Sequence, residues 1–99
     1  MTLVTKEEVN RSLGRIVSAF RRKLGLSQLR LAQAVNLSRT SIANIESGRQ
    51  ALLAAQLFQF AAALNTTPSE ILAKVEAEFN ESVPKDAQSY LQSIRTLLS

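Results

Sequence analysis

The chain contains no cysteine, no histidine and no tryptophan, and only three glycines and two prolines. Without cysteine there is no disulfide framework, no thiolate nucleophile and no thiolate metal ligand. Without histidine the usual general base near neutral pH and the commonest zinc ligand are missing as well. An enzyme built from this sequence would have carboxylates, lysine or serine alone. Its acids are scattered over positions that read as solvent faces, so no nucleophile–base pair assembles. No catalytic residue, metal ligand or cofactor is therefore expected. Long apolar runs are lacking too. The longest, ALLAAQLFQFAAAL, spans 14 residues and holds two glutamines, which is too short and too interrupted to cross a bilayer. The first residues show no basic stretch leading into an apolar one, so export is not expected and the cytoplasm is the default location.

What is present suits one small domain. The chain has 99 residues, 45% of them hydrophobic, enough for a modest core. Its net charge of +4 is unevenly spread: residues 1–50 hold nine Lys/Arg against three Asp/Glu, and residues 51–99 hold three against five. A +6 half followed by a −2 half points to an anionic partner for the first, although a solvated basic helix explains the charge equally well.

Helix starts and stops are legible throughout, and no alternating run rich in β-branched or aromatic residues reads as a strand. Thr5 and Glu8 form a capping box flanked by a Val4/Val9 staple. Helix 1 then runs to about Leu24, burying Val9, Leu13, Ile16, Phe20 and Leu24, until Gly25 supplies a left-handed end. Ser27 caps a second helix, stapled by Leu26 and Leu31, that stops at Asn36. Ser38 caps a third, stapled by Leu37 and Ile42 and ended by Gly48. A fourth lies within Leu52–Leu64. A fifth starts at Pro68 behind Thr67, with Glu70 completing a box, and extends as far as Phe79. Pro84 disfavours helix at Val83. A last segment, 85–98, places Tyr90, Leu91, Ile94, Leu97 and Leu98 on one stripe.

The second and third helices are short and joined by about three residues, which holds them at a steep angle. Ala32 sits where they cross. The third helix turns Ile42 and Ile45 inward. Its opposite arc carries Arg39, Thr40, Ala43, Asn44 and Ser47, a set suited to reading base edges. Residues 26–49, LSQLRLAQAVNLSRTSIANIESGR, resemble the helix-turn-helix of Cro/repressor-type (Xre-like) DNA-binding proteins. Ser27-Gln28, Leu31-Ala32, Ser38-Arg39, Ile42, Ile45, Glu46, Gly48 and Arg49 carry the likeness, which extends from about Ile16 to Leu72. It implies an all-α, five-helix lambda-repressor-like DNA-binding domain (residues 1–80) whose third helix enters the major groove of double-stranded DNA, followed by a C-terminal helical extension (residues 81–99). Three positions depart from the family pattern: Asn36 replaces the usual Gly, Ala51-Leu52 replaces a Pro and small polar cap, and Leu29 replaces an exposed acid.

Arg39 is the first candidate for base reading, through a bidentate contact to guanine, with a phosphate contact as the alternative. Thr40 and Asn44 follow as readers, against plain surface. By resemblance Gln28 anchors the DNA backbone and buttresses helix 3. Ser38 is chiefly a cap with a secondary phosphate contact, and Arg49 suits a phosphate clamp. The resemblance also pairs Glu46 with Arg21 of helix 1 as a partly buried structural salt bridge. The C-terminal stripe either packs back on the core or forms a two-fold interface. The expected protein is a cytoplasmic transcriptional repressor that binds a palindromic operator as a homodimer. With no room for a ligand-sensing domain, concentration, operator arrangement or a protein partner would control it. The alternative is an antitoxin-type interaction module that neutralises a toxin through Leu29 or the C-terminal stripe and binds DNA secondarily.

Overall fold

The computed structural model describes residues 4–82 and 85–98, with the side chains of 81–91 left out of the description. These residues form α1 (Lys6–Lys23), α2 (Gln28–Ala34), α3 (Arg39–Glu46), α4 (Ala54–Ala63), α5 (Pro68–Ser82) and α6 (Lys85–Leu98), with no strand among them. The all-helical reading is met, and α6 follows the five-helix core as expected. The junction at Val83-Pro84 lies outside the described residues. Among the described residues, no helix is long and apolar enough to cross a membrane.

Local chemistry sets the helix ends. The hydroxyls of Thr5, Ser27, Ser38 and Thr67 accept hydrogen bonds from the N–H groups of Glu8, Arg30, Ser41 and Glu70, satisfying donors that the first turn leaves open. The predicted box at Thr67 is only half made, because the Glu70 carboxylate takes its hydrogen bond from the Thr66 hydroxyl instead. The helices α1 to α4 all end in the same way. Gly25, Asn36, Gly48 and Asn65 have positive φ, and the next N–H reaches back to a carbonyl five residues earlier: Leu26 to Arg21, Leu37 to Ala32, Arg49 to Asn44, Thr66 to Ala61. Leu26 and Leu37, carried inward by this turn, pack on the core.

Two apolar clusters share Phe20 and Leu52. One joins Val17 of α1 to Leu31, Ala32 and Val35 of the α2 region, Ile42 and Ile45 of α3, and Phe60 and Leu64 of the α4 region. The other joins Leu13 and Ile16 to Leu57, Ala61, Ile71 and Val75, so α5 closes against α1 and α4. The expected stripe on α1 needs correction. Val17 is fully buried, while Leu24, at the C-cap, is 44% exposed because the chain turns out of the helix there. Val4 is likewise nearly half exposed, at 46%, and Val9 is partly buried.

The helix α4 begins two residues later than the earliest expected start, with the apolar Leu53 as its N-cap. A leucine side chain cannot accept a hydrogen bond. The Gln56 side-chain oxygen compensates by accepting from the Leu53 N–H at 2.9 Å. The helix α6 is held to α5 through Arg95, which bonds Asn80 at 3.1 Å and lies 3.6 Å from Glu76. Of the C-terminal stripe, Leu97 and Leu98 are more than four-fifths exposed. The side chains of Tyr90 and Leu91 lie outside the described residues.

Candidate nucleic-acid interface

The placement of α3 starts from a glycine on α1. A Cβ on Gly14 would come within 2.3 Å of the Ile45 carbonyl oxygen and 2.6 Å of the Glu46 carbonyl oxygen. Only a hydrogen there lets the end of α3 rest on the α1 backbone. At the far side of that contact Gly48, with φ +81°, leaves no room for a side chain either, since a Cβ would lie 2.8 Å from the Arg11 Cα. The angle between α1 and α3 is therefore set by backbone against backbone.

That contact brings Glu46 to Arg21. The buried Arg21 guanidinium forks onto both carboxylate oxygens, Nε to Oε2 at 2.6 Å and Nη2 to Oε1 at 3.0 Å, while Nη1 donates to the Leu26 carbonyl at 2.7 Å. The sequence expectation of an Arg21–Glu46 bridge thus has its geometry. Burial alone would push the Glu46 carboxyl up, but hydrogen bonds from Arg21, Gln28 and Ser18 outweigh it and hold the group below its usual range. The same hydrogen bond raises Arg21 against the opposing effect of its burial.

From Glu46 the network runs outward. Gln28 Nε2 donates to Glu46 Oε1 at 3.1 Å, and Gln28 Oε1 accepts from Arg39 Nη1 at 3.0 Å. A carboxylate can only accept and a guanidinium can only donate, so the Gln28 amide has one possible orientation between them. Four side chains from α1, α2 and α3 form one line from the interior to the surface: Arg21, Glu46, Gln28, Arg39. Its outer end is a held arginine at the first position of α3.

Beyond Arg39, the outer arc of α3 presents Thr40 and Ser47 exposed and Ala43 and Asn44 half-buried. The Ser47 hydroxyl donates to the Asn44 carbonyl at 3.1 Å. The Thr40 hydroxyl and the Asn44 amide make no intramolecular hydrogen bond among the described residues, and both are open to an outside partner. Ser38 is occupied as a cap, accepting from the Ser41 N–H at 3.0 Å and donating to the Ser41 hydroxyl at 3.1 Å. Arg49 is exposed just past α3 and belongs to no ion pair among the described residues. Arg11, exposed and packed beside Gly48, adds a second cation at that end, which the sequence reading did not single out.

A family model described as "Helix-turn-helix" (HTH_3) matches residues 17–71, more than half of the chain and all of α2 and α3. The chain belongs to this helix-turn-helix family. As a member it is a DNA-binding regulator of transcription. Solved structures agree in fold. The clp gene regulator ClgR from Corynebacterium glutamicum superposes with a TM-score of 0.70 at 22% identity, covering 87% of this chain and 88% of that one. The restriction-modification controller protein C.AhdI from Aeromonas hydrophila gives 0.60 at 28% identity, over 62% of this chain and 92% of its own. A hypothetical transcription factor, NHTF, from Neisseria gives 0.62 at 23% identity over 92% and 93%. No curated protein matches the sequence.

Proposed function

We propose that the protein is a repressor that binds a palindromic operator as a homodimer, each copy laying α3 in the major groove. The observation that carries the reading is the polar arc of α3, anchored at its first residue by the line through Gln28 and Glu46 to Arg21. Arg39 reads a guanine through its guanidinium edge, and Thr40 and Asn44 read neighbouring bases with groups that have no partner among the described residues. Gln28 positions Arg39; its second amide hydrogen remains for a phosphate oxygen. Ser38, beside that entry, adds a secondary phosphate contact. Arg49 grips the DNA backbone at the other end of the helix and sets register without reading sequence. One domain of this size makes few such contacts, so two copies on half-sites about 34 Å apart give useful affinity. On this reading the core domain, residues 1–80, binds DNA and residues 81–99 are an appendage to it.

Selection of bound duplexes from a random-sequence library tests the proposal. The expected result is an enriched motif with two-fold symmetry. Binding without enrichment, vanishing as salt is raised, would leave α3 as a non-specific contact and sink the reading. A second reading, an antitoxin-type module with a protein partner such as a toxin, draws on the exposure of Leu29, Leu97 and Leu98. It requires that Leu97→Asp abolish partner capture while DNA binding stays intact.

A further inference from the structure

The arginines of α1 are not treated alike. Arg15 and Arg21 each meet a carboxylate, Glu78 and Glu46. Arg11 has no ion pair and no side-chain hydrogen bond among the described residues, although Glu7 and Glu8 lie one turn earlier at spacings that favour a pair. Its position is nevertheless fixed. A Cβ on Gly48 would lie 2.8 Å from the Arg11 Cα, 3.1 Å from its N and 3.2 Å from its Cβ, so Gly48 touches the base of the Arg11 side chain. The residue after Gly48 is Arg49, which is exposed and without an ion pair as well. Two arginines far apart in sequence thus start from one backbone contact at the C-terminal end of α3.

A cation beside a helix C-terminus can serve the helix itself, by bonding its last carbonyls and meeting its dipole. The end of α3 does not call on arginine for those bonds. The Ala43 carbonyl accepts from the Ser47 N–H, and the Ile45 carbonyl from the Gly48 N–H. The Asn44 carbonyl accepts from the Arg49 and Gln50 N–H groups and from the Ser47 hydroxyl. The dipole remains, but it offers only about half a negative charge to two guanidiniums. Their charge is left for a partner outside the chain.

We infer that Arg11 is a DNA-backbone contact, and that Arg11 and Arg49 hold neighbouring phosphates of one strand from either side of Gly48. The inference rests on the reading that α3 lies in the major groove, which sets this end of the helix beside a strand bordering that groove. A phosphodiester chain suits the pair because it supplies successive negative charges, whereas one acidic side chain would neutralise a single arginine. The two glycines make the arrangement possible. Gly14 lets α1 lie on the end of α3, and Gly48 brings Arg11 level with Arg49. Arg11 precedes the matched helix-turn-helix segment, residues 17–71. The contact is therefore an addition made by the N-terminal half of α1, and it widens the footprint on the DNA backbone without reading sequence.

Binding of the full chain to a random-sequence duplex across a salt series tests it, because that measurement needs no operator. Arg11→Ala is expected to lower the slope of log affinity against log salt by about one. Affinity should then fall about tenfold near 0.1 M salt and little near 1 M, by the same factor on any sequence. Arg11→Lys keeps the charge and should keep the slope. The double variant Arg11→Ala/Arg49→Ala should lower it by about two. Lys74→Ala removes an equal charge from α5, where the ammonium lies over Phe20, and should leave the slope near wild type. An Arg11→Ala slope equal to wild type overturns the inference. So does an equal loss in Arg11→Lys, which would make the arginine structural, or in Lys74→Ala, which would trace the effect to net charge. A lowered Arg11→Ala slope with no motif enriched in the library selection removes the operator reading and keeps the contact. An enriched motif with an unchanged slope does the reverse.

Discussion

Two carboxylates are clamped onto α1, on different faces and in different surroundings. Glu46 meets Arg21 with side chains only 7% and 9% exposed, in a two-pronged contact. Glu78 of α5 meets Arg15 at 2.9 Å with 39% and 57% exposed, and also accepts from the buried Ser12 hydroxyl. Both carboxyls are held below their usual range, Glu78 chiefly by the Ser12 hydrogen bond, with burial opposing it and Arg15 adding to the lowering. Similar titration therefore does not mean similar worth. Around Glu78 water screens the ion pair and solvates whatever is left when one partner goes. Around Glu46 it can do neither, so burying the pair carries a desolvation cost and removing one partner leaves an uncompensated charge inside. The inner clamp also continues through Gln28 to Arg39, whereas the outer one ends at the α1–α5 contact.

The largest expected effect follows from that contrast. Arg21→Ala leaves a carboxylate stranded in the interior and should cost about 3–5 kcal/mol in urea denaturation. Arg15→Ala should cost about 1 kcal/mol or less, because the remaining carboxylate is partly hydrated and still bonded to Ser12. Equal losses in the two variants would erase the distinction between the clamps.

A smaller effect separates holding the fold from reading the DNA. Arg39→Ala removes the outermost member of the inner line, which is exposed. Operator binding should weaken by about 1–3 kcal/mol and preference at one base pair should relax, with no change in the denaturation midpoint beyond error. Equal weakening on specific and random duplexes would reduce Arg39 to a phosphate contact. A large fall in stability would mean that the line is structural to its tip.

Acid titration sharpens the comparison further. Both carboxyls titrate lower in the folded chain than their ordinary value of 4.5. Their contribution to stability is present above about pH 4.5 and is lost as pH falls through the depressed folded values. Glu46→Gln and Glu78→Gln should each flatten part of the acid limb of a stability–pH curve. In about 0.5 M salt the part due to Glu78 should shrink, being exposed to counterions, while the part due to Glu46 persists. If salt diminishes both alike, Glu46 is not shielded from solvent as its burial implies.

The difference between the clamps also explains what the sequence made legible. The hydroxyl caps at Thr5, Ser27, Ser38 and Thr67 act over three residues, and the left-handed ends follow from glycine or asparagine alone, so local reading finds them. The helix-turn-helix emerged because its residues fall within one window, 26–49. Arg21 and Glu46 are 25 residues apart and could be paired only through family resemblance. Ser12 and Glu78, 66 apart, carried no local mark at all. Gln28 was expected to buttress α3, but its link to Glu46 depends on α1 and α3 being docked first. One signal was overlooked: a glycine in the interior of a long helix weakens it, which made Gly14 a candidate for close backbone approach from the start.

The smallest expected effect concerns Arg49, a cation outside every ion pair among the described residues. Arg39 is held by Gln28, whereas Arg49 has no ion-pair partner among the described residues and lies at the opposite end of α3. A free arginine that meets a phosphate contributes by releasing a condensed counterion, whatever the base sequence. Arg49→Ala should therefore weaken specific and random duplexes by the same factor. It should also lower the slope of log affinity against log salt by about one. Arg39→Ala should change the specificity ratio instead and move that slope less, because a base contact displaces fewer counterions. Measuring both variants on both duplexes across a salt series separates the held arginine from the free one. An Arg49→Ala slope equal to wild type would take this residue off the DNA backbone and pass the role to Arg11, which packs beside Gly48 at the same end of the helix.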